Sequence, residues 1–255
     1  MARVILLGAS NLTLSFPRLW HGLSACSEPL EVFAAHGHGR SYGIWSHVGP
    51  RALPGILSSR LWDDLAVLPQ TADRPRALIA DIGNDILYGV ESEQIAAWIE
   101  VCLKRLTAMS ARIVMTQLPM ASASRLSRSR FYFFRKLFFP ESDLRFDDLP
   151  SRVAELNQRI VELGRKHEVP TPELHGEWYG LDPIHIRRRH RTAAWRELLT
   201  TWFDSPNEAT FDVVGVGSAL RLWRQRPFER RWFGRTQHAA QPVFREPDGS
   251  ALWLY

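Results

Sequence analysis

The sequence starts Met-Ala-Arg-Val-Ile-Leu-Leu-Gly-Ala-Ser-Asn, residues 1–11, which combine an apolar run with a glycine and a serine. Its apolar run from Val4 to Leu7 predicts a buried strand that ends in a turn at Gly8. Ser10 follows that turn, and a helical spacing of apolar residues begins behind it. A serine in this place is often only the N-cap of a helix. It would also lie at the carboxyl edge of a sheet, where open α/β folds bind their ligands.

Further short apolar runs end in turns, and helical patterns separate them. We predict strands at Leu30–Ala35, Ala77–Ile82 and Ile113–Thr116, and a short fifth strand near Thr171–Leu174. Strands that alternate with helices are typical of a parallel sheet with helices on both of its faces. The sequence therefore predicts one α/β domain over residues 1–204.

Two segments depart from this alternation. Residues 118–150 combine arginines with phenylalanines over a long interruption, which we interpret as an insertion that either packs on the domain or acts as a lid. Residues 205–255 are predicted to form a β-rich extension. Within it we expect a strand across Val213–Leu222 and a hairpin whose turn is Pro247-Asp248-Gly249.

The composition is that of a folded protein. The 255 residues are 45% hydrophobic and 23% charged, which fits one large domain or one domain with an appendage. No apolar stretch approaches the roughly 18 residues that a membrane span needs. The first residues contain no signal-peptide cleavage site, so we expect a cytoplasmic protein. The two cysteines, Cys26 and Cys102, predict no disulfide framework.

Positive charge is unevenly distributed along the chain. The net charge is +5 at pH 7, and the basic excess concentrates in Arg125–Lys136 and Arg187–Arg196. Arginine supplies nearly all of it, which indicates a compositional bias more than a site for nucleic-acid phosphates. A solvated basic face and an anionic partner both remain open interpretations of these stretches. Binding of nucleic acid through Arg125–Lys136 and Arg221–Arg235 is a further, weaker hypothesis about function.

Polar residues follow several of the predicted strands. Ser10 follows the first, a glycine-rich loop containing Gly39 the second, and Asn84 the third, while Asp182 and His185 stand near the end of the α/β unit. The carboxyl ends of parallel strands meet at one edge of a sheet. A serine nucleophile needs a base such as histidine, and that histidine needs a carboxylate. The developing oxyanion needs N–H donors, which a backbone amide or an asparagine can supply.

Four blocks of the sequence are similar to those of a known family. Gly8-Ala9-Ser10, Gly39, Gly83-Asn84-Asp85 and Asp182-Pro183-Ile184-His185 occur in the order and spacing of the SGNH (GDSL-like) hydrolases. The resemblance implies a three-layer, flavodoxin-like fold with five parallel strands in the order 2-1-3-4-5. It also implies that Ser10 is the nucleophile, His185 its base and Asp182 the residue that orients the base. Ser10, Gly39 and Asn84 would form the oxyanion hole.

The sequence departs from the family pattern at one position and leaves others open. The family has an aspartate where this chain has Ala9, which affects the turn geometry and the substrate class. Gly37 or Gly43 could take the place of Gly39. His36 and His38 suggest a metal site, but only two ligands cluster. The Gly37–Gly43 loop lacks the glycine spacing of a dinucleotide-binding motif.

These observations support two hypotheses about function. The first is a serine hydrolase that cleaves an acyl ester of a small molecule and uses neither metal nor cofactor. The second is a scaffold of the same fold that binds an acylated or anionic ligand with little or no turnover. Ala9 and the basic, aromatic second half of the chain motivate this second hypothesis.

Overall fold

The computed structural model describes residues 1–26, 29–69, 71–120, 126–139, 142–203 and 211–255. The strands are β1 (Ala2–Leu7), β2 (Leu30–Ala35), β3 (Ser46–Val48), β4 (Arg51–Leu53), β5 (Arg76–Ile79), β6 (Arg112–Met115), β7 (Glu229–Trp232), β8 (Arg235–His238), β9 (Phe244–Arg245) and β10 (Ala251–Leu254). The helices are α1 (Ser10–Cys26), α2 (Leu61–Val67), α3 (Asn84–Leu87), α4 (Ser92–Ala108), α5 (Arg128–Phe138), α6 (Leu149–Lys166), α7 (Arg191–Leu198) and α8 (Val216–Trp223).

Four predicted strands form the middle of the central sheet. β1 pairs in parallel with β2 on one side and with β5 on the other, and β5 pairs in parallel with β6. The predicted order of the first four strands, 2-1-3-4, is therefore confirmed. Val4–Leu7 of β1 are wholly buried because helices cover both faces of the sheet. One face packs against α2, α4 and α6, and the other against α1, α7 and α8.

The segment predicted as the fifth strand, Thr171–Leu174, lies beside β6 as expected but does not form a regular strand. The backbone N–H of Met115 donates to the carbonyl of Pro170 (3.0 Å), and that of Gln117 donates to Pro172 (3.1 Å). Both acceptors are prolines, which have no N–H to donate in return. The backbone hydrogen bonds therefore run in one direction only, from Met115 and Gln117 to this segment.

The sheet continues instead on the side of β2. There β10 pairs in parallel with β2, and β9 pairs with β10 in antiparallel fashion, which gives the order β6-β5-β1-β2-β10-β9. The predicted hairpin and its turn are confirmed, with Gly249 at a φ of +91° that favours glycine. The sequence thus predicted the hairpin but not its position in the central sheet.

The strand predicted across Val213–Leu222 was wrong, because α8 occupies most of this segment. Ala219 and Leu222, three residues apart, are the buried side chains of the helix. That spacing puts both on one helical face. The β-branched valines at and just before the start of the helix favour a strand by local propensity, which explains the wrong prediction.

The remaining strands of the extension join a second sheet. β7 and β8 pair with the β3–β4 hairpin in the antiparallel order β3-β4-β7-β8. The described part of the extension therefore contributes to both sheets. The boundary near residue 204 stays a prediction, since residues 204–210 lie outside the described ranges.

The insertion predicted at 118–150 contains α5 and the start of α6, and its residues 121–125 and 140–141 lie outside the described ranges. Phe131 of α5 is buried, as are Leu149 and Val153 of α6. The insertion therefore packs on the domain through an apolar face. Among the described residues, no helix has both the length and the apolarity to cross a bilayer. The cytoplasmic location stays a prediction.

Candidate active site

The turn after β1 places Ser10 at the carboxyl edge of the central sheet. Ser10 is the first residue of α1 and is 6% exposed. Gly8 precedes it in a close contact, because a Cβ at this position would lie 3.3 Å from the carbonyl oxygen of Ala80. The tight turn is therefore set by the packing of β1 against the end of the neighbouring strand β5.

Asp81 supplies a carboxylate to this turn from the end of β5. Its Oδ2 accepts hydrogen bonds from the backbone N–H groups of Ala9 (2.9 Å) and Leu12 (3.1 Å), and its Oδ1 accepts one from Nδ2 of Asn11 (2.8 Å). A negative charge here also complements the N-terminus of α1. The family motif has its aspartate at position 9. In this chain Asp81 provides a carboxylate to the same turn from the adjacent strand.

Asp81 is not among the site residues predicted from the sequence. It follows an apolar strand and precedes the matched block Gly83-Asn84-Asp85. This position at the carboxyl end of a predicted strand is the sequence feature that could have identified it. Its φ of +58° is unusual for a residue other than glycine. Such a conformation persists where surrounding contacts fix it, as the three hydrogen bonds to the carboxylate do here.

Asp182 and His185 form a hydrogen-bonded pair. Asp182 Oδ2 lies 2.6 Å from Nδ1 of His185, and Asp182 Oδ1 accepts the backbone N–H groups of Ile184 (3.0 Å) and His185 (3.2 Å). Burial by itself raises the pKa of Asp182, but the hydrogen bonds from His185 and Ile184 outweigh burial and lower it. An ionised Asp182 holds the proton of His185 on Nδ1, which leaves Nε2 free to act as a base.

Asn11 connects the Ser10 turn to the His185 loop. Its Nδ2 donates to the carbonyl of Ile184 (2.8 Å), and its Oδ1 accepts the backbone N–H of Ile186 (2.8 Å). The two neighbours of His185 are therefore both bonded to the residue that follows Ser10. Within the described residues, no hydrogen bond joins the Ser10 hydroxyl to His185. Catalytic hydrogen bonds often tighten only when substrate binds.

The glycine-rich loop reaches the same edge of the sheet. Gly39 has a φ of +66°, and a Cβ there would lie 2.8 Å from Cγ2 of Val48, so only glycine fits. The hydroxyl of Tyr88 donates to the Gly39 carbonyl (2.8 Å). Asn84 begins α3, and its Nδ2 makes a long hydrogen bond to the carbonyl of Arg40 (3.5 Å).

The other glycines of this loop are explained by packing. A Cβ on Gly37 would clash with Leu53, and one on Gly43 would clash with the indole of Trp98. Neither glycine has a positive φ. Gly39 thus remains the glycine of the loop whose backbone conformation itself requires glycine.

Asp85 links the block Gly83-Asn84-Asp85 to the glycine-rich loop through hydrogen bonds. It is fully buried and accepts hydrogen bonds from the hydroxyl of Ser41 and the backbone N–H of Tyr42 (3.0 Å). Burial raises the pKa of Asp85 to about 7, although both hydrogen bonds act in the opposite direction. Asp85 therefore holds the two loops that carry Asn84 and Gly39 together.

The two histidines of the loop have different surroundings. Nδ1 of His36 lies 2.9 Å from Oγ1 of Thr13, and burial and the nearby Arg40 lower its pKa to about 3. His36 is therefore neutral. The pKa of His38 is lowered by burial, by Arg51 and by His185. No group of three or more His, Cys, Asp or Glu side chains in the described ranges could hold a metal ion.

A cavity of about 100 Å³ lies beside Ser10. Asn11, Asp81, Asn84 and Gln117 are polar residues of its wall. The rest of its wall is largely apolar and includes Ile82, Leu87, Leu118, Pro119, Leu126, Leu149, Val153, Leu174, Tyr179, Pro183 and Ile184. An adjoining space of about 40 Å³ shares Leu87 and Leu126 with it and extends beneath α5. Part of the insertion therefore lines the cavity.

Comparisons with known proteins agree with this architecture. No protein-family model matches the chain, and no curated protein matches it in sequence. The native aryl esterase of M. smegmatis is similar in structure, with a TM-score of 0.52 and 15% identity over 80% of this chain and 100% of that chain. The acetyl xylan esterase AlAXEase gives a TM-score of 0.51 and 12% identity over 79% of this chain and 100% of that chain.

A third solved structure is the psychrotrophic esterase EstA of Pseudoalteromonas sp., inhibited by monoethylphosphonate. Its TM-score is 0.50 at 11% identity, over 80% of this chain and 100% of that chain. Identities this low establish the fold alone. The chain shares the fold of these three esterases, which agrees with the α/β architecture that the resemblance to the SGNH (GDSL-like) hydrolases implied.

Proposed function

We propose that the protein is a serine hydrolase that cleaves acyl esters of small molecules, with Ser10 as nucleophile. The observation that carries the proposal is the double hydrogen bond of Asn11 to Ile184 and Ile186. It holds the Asp182–His185 pair next to the turn that presents Ser10. The structural neighbours with this fold are esterases, which supports the same reaction class.

In the proposed reaction, the Ser10 hydroxyl attacks the ester carbonyl while Nε2 of His185 accepts its proton. The backbone N–H of Ser10 and of Gly39 and the side-chain amide of Asn84 stabilise the oxyanion of the tetrahedral intermediate. His185 then protonates the leaving alcohol as the carbon–oxygen bond breaks. Water, deprotonated by His185, hydrolyses the acyl-enzyme and restores Ser10.

The shape of the site favours an acyl group of moderate length. A water-sized group needs about 10–15 Å³ of such a cavity, so the 100 Å³ beside Ser10 holds roughly seven to ten of them. The wall is apolar on the side of Leu118, Leu149 and Val153. We therefore expect an octanoyl ester to be a better substrate than an acetyl ester.

Labelling with a fluorophosphonate and ester hydrolysis together test the proposal. The wild type should react with the probe at Ser10 and hydrolyse p-nitrophenyl octanoate. The Ser10→Ala variant should lose labelling and reduce kcat by several orders of magnitude, as in other serine triads. Ser24→Ala, at the other end of α1, is the matched control and should keep both properties.

A binding scaffold without turnover is the second candidate. The departure from the family pattern at Ala9 and the basic, aromatic second half of the chain favour it. In that case the wild type would not react with the fluorophosphonate. Ester hydrolysis by Ser10→Ala at the wild-type rate would reject the assignment of Ser10 as nucleophile.

A further inference from the structure

The two basic stretches of the sequence meet at one pocket. Arg130, from the first stretch, and Arg187, from the second, both line a polar pocket of about 90 Å³. Arg125, also in the first stretch, lies outside the described residues. Leu126, Tyr179 and Pro183 line this pocket and also the cavity beside Ser10. The two spaces therefore adjoin each other along a shared wall.

Both arginines have unused hydrogen-bond donors. The structure gives neither guanidinium a hydrogen bond or an ion pair within the described ranges. By contrast, Arg128 on the same helix pairs with Asp147 (2.7 Å), and Arg191 donates to the Ile186 carbonyl (3.1 Å). A guanidinium carries five N–H donors in a planar fork that matches the oxygens of a carboxylate or phosphate.

The guanidinium of Arg187, an exposed residue, contacts the backbone at the wall of the pocket. It packs directly on Gly180, where any Cβ would clash with Nε, Nη2 and Cζ of this side chain. The backbone N–H of Arg187 also donates to the carbonyl of Trp178 (2.8 Å). Gly180 thus leaves room for this side chain at the wall of the pocket.

The loop that carries His185 borders the pocket. Pro183 of its wall is two residues before His185, and Arg187 is two residues after it. Asp182 and Arg130 also share the wall of a neighbouring open depression. A general acid must lie next to the oxygen of the leaving group. If the acyl chain fills the apolar cavity, the leaving group is the part of an ester substrate that is left to face Arg130 and Arg187.

We propose that this pocket binds an anionic group, a phosphate or a carboxylate, carried by the leaving alcohol of the substrate. The inference rests on the proposed ester hydrolysis. The acyl chain would occupy the apolar cavity, and the charged end of the alcohol would bind between the two arginines. The arginines only hold the substrate. Bond cleavage, the transfer of the Ser10 proton through His185 to the leaving oxygen, and hydrolysis of the acyl-enzyme proceed as described above.

A matched set of octanoyl esters tests the pocket by kinetics. The substrates are neutral 1-octanoylglycerol, 1-octanoylglycerol 3-phosphate and the octanoyl ester of 3-hydroxypropanoate. The wild type should show a higher kcat/KM for at least one anionic ester, and the better anion tells phosphate from carboxylate. Arg130→Ala and Arg187→Ala should each lower the ratio of anionic to neutral kcat/KM by roughly ten- to a hundredfold.

The neighbouring Arg188 provides the control, because it is exposed like Arg130 and Arg187 and carries the same charge but does not line the pocket. Arg188→Ala should keep the wild-type ratio. A wild type without preference for either anion would overturn the inference. So would an equal fall of the ratio in Arg188→Ala, which would show a general field effect of the basic surface.

Binding to the Ser10→Ala protein separates this inference from the proposed function. Calorimetry with 1-octanoylglycerol 3-phosphate and with 1-octanoylglycerol needs no turnover. Tighter binding of the phosphate, lost when Arg187→Ala is added, would support the pocket even if the wild type hydrolysed no ester. Equal affinity for the two ligands would reject it even if the wild type hydrolysed neutral esters through Ser10.

Discussion

Replacement of Asn11 by alanine is the sharpest perturbation of the proposed site. The side chain is 9% exposed and makes three hydrogen bonds, to Asp81, Ile184 and Ile186. Its loss leaves the N–H of Ile186, itself 2% exposed, without an acceptor. An unsatisfied buried group costs about 1–3 kcal/mol. With the other two bonds included, we expect the free energy of unfolding to fall by roughly 2–4 kcal/mol.

The effect on activity should exceed what lost stability explains. Asn11 fixes both neighbours of His185, and a displacement of a catalytic group by about 1 Å costs on the order of a hundredfold in rate. We expect Asn11→Ala to lower kcat/KM for p-nitrophenyl octanoate by about that factor, at a temperature where the variant is fully folded. Urea unfolding followed by circular dichroism measures the stability, and initial rates measure the activity.

Ser250→Ala is a matched control for this experiment. Ser250 Oγ accepts the buried N–H of Leu30 (2.9 Å), so its removal also leaves a backbone donor unpaired. That contact lies at the start of β2, at the opposite end of the strand from the site. Asn11 would have no role in positioning His185 if Asn11→Ala kept its kcat/KM within about threefold of the wild type, or if both variants lost activity equally.

Three further substitutions test other contacts. Asp81→Asn removes the charge that accepts the N–H groups of Ala9 and Leu12, and we expect urea unfolding to show a loss of about 1–2 kcal/mol. Asp85→Asn removes a carboxyl whose pKa burial raises to about 7. The folded wild type holds this proton more tightly than the unfolded chain, so its free energy of unfolding should fall as the pH rises from about 4 to about 7, and the variant should lack this component. Val153→Phe narrows the apolar cavity, and we expect the octanoyl-to-acetyl ratio of kcat/KM to fall by about tenfold.

For each of these three variants, one outcome would contradict the prediction. Equal stability of Asp81→Asn and the wild type would show that the carboxylate adds nothing beyond an amide at the turn. An identical pH dependence of unfolding with and without Asp85 would remove the buried carboxyl as its source. A Val153→Phe variant with the wild-type preference for octanoyl esters would place the acyl group outside this cavity.

Local pattern predicted much of the fold, because the strands β1, β2, β5 and β6 are apolar runs bounded by turns. The fifth segment was harder, since Pro170 and Pro172 permit pairing in one direction only. The place of β10 beside β2 could not be read from the sequence. The pairing partners of Ala251–Leu254 lie about 220 residues earlier in the chain, and no local signal records such a contact.

The site residues also divide into those that local sequence identifies and those that only the folded chain brings together. Ser10, Asn84, Asp182 and His185 stand in blocks whose residue types are informative by themselves. The interaction of Asn11 with the His185 loop spans more than 170 residues, so only the folded chain reveals it. Arg130 and Arg187 were visible as members of two basic stretches. The sequence does not show that residues of both stretches line one pocket.

The position of β10 also bears on how the chain avoids aggregation. Without β10, the backbone groups along one side of Leu30–Ala35 would be unpaired, and this apolar strand would be an exposed edge. Such an edge is a template for pairing with other molecules. In the folded protein the outermost strand is instead the two-residue β9, Phe244–Arg245, flanked by Pro242 and Pro247. The hairpin thus covers a long apolar edge strand and leaves at this border a short strand that contains a charged residue.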